Sequence, residues 1–312
     1  MTVGRWILGT SALTCTIAWT VSAVVAQSPD QAPRNNRQQL TEPVFRVADQ
    51  SAGTPVVANN TLPPRADNVA QPNNQPPQHP LEPAIQMAKS AMVNMRANIQ
   101  DYSCTIIKHE RIGGKLADRE YMFLKVRHEP FSVYMYFLGP ERLRGQEVIY
   151  VEGQNNGNLL GHGVGIRKIA GTVPLQPTGA MAMQGQRYPI TEIGMLNLTK
   201  RLLEVAEADK MFGECDVKFF RNAKITTGKE TRTVTCIMVV HPIPRKNFRF
   251  HQARVFVDDE LNLPIRYESY DWPDKPGGQP QLLEEYTYTD IKMNNGFTDF
   301  DFDTNNPQYN FR

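Results

Sequence analysis

The sequence predicts an α+β domain built on one curled antiparallel sheet, an unclosed half-barrel of about ten or eleven strands with two helices at its mouth. Three observations carry this expectation. Apolar and polar side chains alternate with period two through most of residues 102–292, cut at intervals by Gly and Pro turns. Only two stretches show the three- and four-residue spacing of a helix. A sheet of that width must curl, and two helices cannot cover both of its faces, so one of them belongs in the concavity.

The first 26 residues read as a secretory leader. Arg5 precedes an apolar run from Trp6 through Trp19 to Val25, which closes on small residues at Val24-Val25-Ala26. Ser11, Thr14, Thr16, Thr20 and Ser22 interrupt the run, which makes it a poor permanent span. The expected location is therefore periplasmic or otherwise exported, after cleavage of the leader. Residues 27–80 read as a disordered linker. They hold ten of the 23 prolines, with runs such as Gln71-Pro72-Asn73-Asn74-Gln75-Pro76-Pro77, and too few apolar side chains to offset chain entropy.

The folded domain is expected over residues 81–303, with a tail at 304–312. Leu81, Ile85, Ala88, Met92, Met95 and Ile99 form one helical face, and Pro83 suits the first turn. The period then changes. Tyr102–Arg111 and Leu116–Arg127 flank Gly113-Gly114 as a hairpin. Strands follow at Phe131–Leu138, Gln146–Glu152 and Leu159–His162. Residues 163–190, rich in Pro and Gly, are expected to be an irregular flap. A second helix is expected over Glu192–Met211 with Thr191 as its N-cap. Five more strands are expected at Asp216–Ile225, Arg232–His241, Phe248–Val257, Pro264–Asp271 and Leu282–Lys292.

The cavity of such a half-barrel would be apolar. Its candidate lining is Tyr121, Phe123, Val133, Met135, Phe137, Ile149, Val151, Val255, Val257, Ile265 and Tyr267 on the sheet. Met181, Met183 and Met195 would adapt to an irregular ligand from the flap and second helix. Each of these side chains serves equally well as ordinary core. Lys125 and Arg127 could hold a phosphate or carboxylate headgroup, or could be solvated charges on the outer face. Cys104, Cys215 and Cys236 follow the leader, and Cys215 with Cys236 flanks a hairpin centred near Gly228 that could place them in a disulfide; Cys104 is the alternative partner.

Three groups of residues carry a family resemblance. The first is Asp101-Tyr102-Ser103-Cys104-Thr105 with Glu110-Arg111 and Gly114-Lys115-Leu116. The second is Leu124-Lys125-Val126-Arg127 with Pro130-Phe131-Ser132-Val133-Tyr134. The third is Glu147-Val148-Ile149-Tyr150-Val151-Glu152-Gly153. Together with Tyr188-Pro189-Ile190-Thr191, they resemble the domain-of-unknown-function family 1571 over roughly residues 85–303. That family is similar in fold to the LolA and RseB group of exported lipoprotein-handling proteins. The resemblance implies a helix in the mouth of the sheet and a cavity for acyl chains.

Composition and motifs exclude several classes. Lys+Arg 34 against Asp+Glu 32 gives a net charge of +2, without the basic excess of a nucleic-acid protein. No nucleophile elbow, His-Glu-x-x-His, phosphate loop or Cys-x-x-Cys is present. The six histidines, at 79, 109, 128, 162, 241 and 251, lack the spacing of a metal site. The sequence thus points to a non-enzymatic exported protein, with no cofactor, that binds a lipid or an acylated protein. The alternative is an envelope sensor or interaction module with a membrane-associated protein partner. A hydrolase of an envelope polymer would need two carboxylates about 5–10 Å apart in a cleft, and no motif marks them.

Overall fold

Alternating side chains and glycine turns build one antiparallel sheet that carries most of the domain. The computed structural model describes residues 43–46, 78–227 and 230–311. The expected leader, most of the expected linker and the turn at Gly228 lie outside these residues.

The first helix, α1 (Glu82–Asn98), has a proline in its first turn and buries Ile85, Ala91 and Met95. The strands are β1 (Val44–Arg46), β2 (Asp101–Ile112), β3 (Lys115–Leu116), β4 (Glu120–Arg127), β5 (Ser132–Gly139), β6 (Glu147–Val151), β7 (Leu159–His162) and β8 (Thr172–Leu175). After the second helix, α2 (Met195–Asp209), come β9 (Asp216–Thr227), β10 (Glu230–Val240), β11 (Gln252–Asp258), β12 (Leu263–Asp271) and β13 (Gln281–Met293). The spatial order is β1-β9-β10-β11-β12-β13-β2-β4-β5-β6-β7-β8, with β3 paired to β2 alone. Among the described residues the two ends of this path, β1 and β8, do not pair, so the sheet stays open. Two meanders, β2 to β8 and β9 to β13, are joined only where β13 meets β2. The long connection between them, residues 176–215, carries α2 from the β8 edge back toward the β9 edge.

The N-terminus of α2 is tied to the sheet. Its first backbone N–H, at Met195, donates to the buried Tyr102 hydroxyl at 3.0 Å. Gly194 takes φ +104°, and a Cβ there would stand 2.8 Å from that hydroxyl. Glycine is needed for both reasons. Thr191 was the expected N-cap; the helix begins later, and Gly194 occupies that position with no side-chain cap.

The two faces of the sheet have different covers. Tyr102, Cys104, Ile106, Met122, Leu124, Val126, Met135 and Phe137 share a core with Met95 and Met195 of the helices. Phe123, Tyr134, Tyr136, Leu138, Ile149 and Val151 point the other way and pack against Phe297, Phe302, Tyr309 and Phe311. Residues 304–311, expected as a tail, thus hold two buried aromatic rings over this second face. Three buried charges fasten the segment. Asp101 accepts from the backbone N–H groups of Asn295, Gly296 and Phe297 at 2.6, 3.0 and 3.0 Å. Glu147 accepts from the Asn310 N–H at 2.8 Å. Lys125, fully buried, pairs with Asp301 at 2.8 Å, with its Nζ 5.0 Å from the centre of the Phe297 ring and 5.7 Å from that of Tyr309.

Several expectations need correction. Residues 163–190 contain β8, which pairs with β7 from Leu159↔Leu175 to His162↔Thr172. Pro174 hides this strand in the sequence, because proline is tolerated there only at a sheet edge. Val44–Arg46, inside the expected linker, pairs with β9. The strand expected from Phe248 begins at Gln252. The Cys215–Cys236 disulfide is not formed, and Cys104, Cys215 and Cys236 are all free and buried. Register is the reason. Cys236 lies opposite Phe220, so Cys215 sits five residues further along the neighbouring chain. That offset is about 17 Å, far beyond disulfide reach.

Two stability predictions follow from these anchors. Asp301→Asn should lower unfolding free energy by about 3–5 kcal/mol in urea titration, because it strands the buried Lys125 charge, whereas Lys125→Met should cost distinctly less. Gly194→Ala should cost more than Tyr102→Phe, which removes one capping hydrogen bond worth about 1 kcal/mol.

Candidate functional site

Three neighbouring strands change character at the same level. On the helix-covered face, β2 runs Ile106, Lys108, Glu110; β4 runs Met122, Glu120; and β13 runs Tyr288, Tyr286, Glu284. The register stacks them in rows. Ile106 pairs with Met122 and Tyr288, Lys108 with Glu120 and Tyr286, and Glu110 with Glu284. One end of this floor is therefore apolar and the other charged.

A cavity of about 1270 Å³ lies above the floor. Leu198, Leu202 and Val205 of α2 form its roof, Met135, Phe137 and Val148 extend its apolar wall, and Arg167, Ala170 and Met181 line its open side. A second cavity of about 90 Å³ lies between the two helices and strands β10 to β12.

The charged end is closely satisfied. Lys108 pairs with Glu120 at 2.9 Å and Glu110 at 3.4 Å, and donates to Gln186. Glu110 also accepts from the Tyr286 hydroxyl and from the Arg187 N–H at 3.2 Å. Glu284 accepts from the Tyr188 hydroxyl at 3.1 Å and Ser269 at 3.2 Å, lies 3.3 Å from the Tyr286 hydroxyl oxygen, and pairs with Arg187 Nε at 2.9 Å. All four oxygens of this carboxylate pair are engaged. Burial, with the Glu284 carboxylate beside it, pushes the Tyr188 hydroxyl up to about 12. Burial acts to lower the Arg187 pKa, but Glu284, Tyr188 and Tyr286 together outweigh it and the net shift is upward. Tyrosines and arginine here are donors at neutral pH, not acids or bases.

The expected site residues separate by strand parity. Met135, Phe137, Met181 and Tyr267 line the main cavity, and Val255 and Val257 line the small one. Val133 shares the face of Met135, and Met195, the first residue of α2, points into the core, both buried outside the lining. Met183 is half-buried in the flap, also outside the lining. Ile265, next to a register shift between β11 and β12, lines a separate small pocket with Ile225. Tyr121, Phe123, Ile149 and Val151 face the C-terminal segment instead, because Met122 and Val148 take the cavity side of the same strands. Lys125 and Arg127 share that second face, paired with Asp301 and Asp299, so neither reaches the cavity as a headgroup site. Polar residues that do reach it, at the charged end, include Lys108, Glu110, Glu120 and Glu284 of the strands and Arg187 of the connection before α2. The signal of the four strand residues is a charge at the end of an alternating apolar strand, and it appears only when β2, β4 and β13 are set side by side.

Other candidate chemistry is quiet. Burial pushes the Cys215 and Cys236 thiols up to about 11 and about 12, which leaves them poor nucleophiles. Among the described residues no cluster of His, Cys, Asp and Glu could hold a metal, and no helix is long and apolar enough to cross a membrane.

Fold and cavity define an open antiparallel half-barrel with a helix-roofed amphipathic chamber. The chain belongs to the family described as protein of unknown function DUF1571, which matches residues 99–311. No protein of curated function matches it. Among solved structures it is similar to a putative outer membrane lipoprotein-sorting protein domain from Vibrio parahaemolyticus, at 11% identity over 71% of this chain and 96% of that one, TM-score 0.33. The lipoprotein LppX of Mycobacterium tuberculosis is similar at 11% identity over 70% and 98%, TM-score 0.38. The Pseudomonas aeruginosa MucA/MucB complex is similar at 14% identity over 70% and 60%, TM-score 0.37. At these scores none of the three lends this chain a ligand or a partner.

The end of α2 gives a pH prediction. Asp209 lies buried 3.4 Å from His241 Nε2, and burial raises its carboxyl from 3.8 to about 6 while pushing His241 below its ordinary value. A carboxyl that holds its proton more tightly when folded stabilises most below the unfolded pKa. That contribution is lost as pH rises through the folded one. The difference in unfolding free energy between the parent and Asp209→Asn should shift by about 3 kcal/mol against the parent between pH 3.5 and 7, as measured by urea titration.

Proposed function

We propose that this is a non-enzymatic protein of the cell envelope that holds an amphiphile, a lipid or an acylated ligand, in the cavity beneath α2. The observation that carries the reading is the shared row at which β2, β4 and β13 pass from apolar to charged. An amphipathic chamber of about 1270 Å³ exceeds what a drug-sized ligand fills, and its apolar stretch ends in fixed donors and acceptors that suit a polar head. The acyl part lies along Ile106, Met122, Met135 and Phe137, and the head lies toward Lys108 and Arg187. The structure brings together two carboxylates, Glu110 and Glu284, of the kind a hydrolase would need. Every oxygen of that pair already accepts a hydrogen bond or ion pair, an arrangement that favours recognition over proton transfer.

Two measurements test the reading. Native mass spectrometry with lipid extraction, on protein purified from an envelope fraction, should find a bound lipid in stoichiometric amount. A fluorescent fatty acid should bind about tenfold more tightly for each two methylenes added, until the chamber is full. Leu198→Trp, which fills the roof, should weaken that binding at least tenfold with little change in stability. An empty protein that ignores both chain length and Leu198→Trp would overturn the proposal.

A further inference from the structure

The open side of the cavity carries exposed apolar side chains that the fold does not use. Residues 165–170 form a short 3-10 turn, Gly-Ile-Arg-Lys-Ile-Ala, at the rim. Ile166 and Ile169 are 84% and 86% exposed, and Met181 beside the same opening is 72% exposed. Large apolar groups grouped this way mark an interaction surface. Arg167 and Lys168 lie between the two isoleucines, both exposed. A second loop repeats the pattern: Ile243 is 52% exposed, and Lys246 and Arg249, both exposed, line the same cavity as Arg167 and Met181. The rim turn is closely packed at its base, since a Cβ on Gly163 would lie 2.6 Å from the Cβ of Arg167.

We infer that this rim is a membrane-docking surface that seats the cavity mouth on a bilayer containing anionic lipid. The isoleucines and Met181 enter the interface, and Arg167, Lys168, Lys246 and Arg249 meet the negative headgroups. Charge complementarity selects the occupant: two loops, each with isoleucine beside cations, fit an anionic lipid surface better than they fit an acidic protein, which would leave the isoleucines wet. An amphiphile then passes between bilayer and chamber without crossing water, Met181 belonging to both rim and lining. The inference rests on the proposed reading only in that the chamber receives an amphiphile.

The test is co-sedimentation of the full chain with phosphatidylcholine vesicles, with and without phosphatidylglycerol. Ile166→Asp/Ile169→Asp changes no residue of the cavity lining and should lower partitioning at least about tenfold on both vesicle types. Arg167→Gln/Lys168→Gln should lower it about fivefold per charge on the anionic vesicles alone. Ile169→Trp should add a fluorescence signal over the parent that brominated lipid quenches, which reports insertion at that position whatever the rest of the chain does. Equal partitioning of parent and both double variants, or no quenching at position 169, would overturn the inference. Fatty-acid displacement keeps the two proposals apart. If Ile166→Asp/Ile169→Asp loses vesicles and keeps the fatty acid, both stand. If the parent binds vesicles through the rim and never takes the fatty acid, docking stands and the cavity reading fails.

Discussion

The pairing of β13 with β2 is the contact on which the rest of the domain depends. It joins two meanders that share no other strand-to-strand ladder among the described residues, between partners as far apart as Tyr102 and Met293, 191 positions along the chain. Without it the sheet would be two narrower sheets, each with one face too many to cover. With it, the middle of the floor contains one strand from each half, and their register decides which side chains meet. A slip of one residue would turn Ile106, Lys108 and Glu110 away from the chamber and put Ile107 and His109 in their place.

That register also explains why the charged end of the chamber is tolerable. Carboxylates facing each other across paired strands repel. Here Glu110 and Glu284 do face each other, and the fold surrounds them with Lys108, Arg187, Tyr188, Tyr286 and Ser269. The donors come from β2, β12, β13 and the connection before α2, so the network ties the flap to the floor. A buried network of this kind contributes little net stability and much geometry. The polar end of the chamber is held in one shape before anything enters it.

Much of this architecture was legible in the sequence. Period two located nearly every long strand, and period three-and-four located both helices, because each pattern is local. Disposition was harder to read. Parity along a strand says that Phe123 and Lys125 share a face, but not which cover that face meets, and the aromatic residues at 297–311 that supply the cover lie far off in sequence. The cavity residues Lys108 and Glu284 were invisible for the same reason: a charge on a strand reads as solvent-facing until its neighbour strands are known. β8 was masked by Pro174, and β1 by the proline-rich composition around it. The disulfide failed on register, which the spacing of Cys215 and Cys236 about a turn cannot fix.

The C-terminal segment adds a temporal meaning to its packing. Tyr309 stacks on Tyr134 with ring centres 3.9 Å apart, and Phe311 closes over the same face. These residues follow β13, which completes the floor, so residues 281–311 finish both faces of the sheet. Neither face of the sheet can be finished until these residues have been made. Domains dominated by such distant pairings fold slowly. A domain closed by its own distal segment completes itself only as a whole.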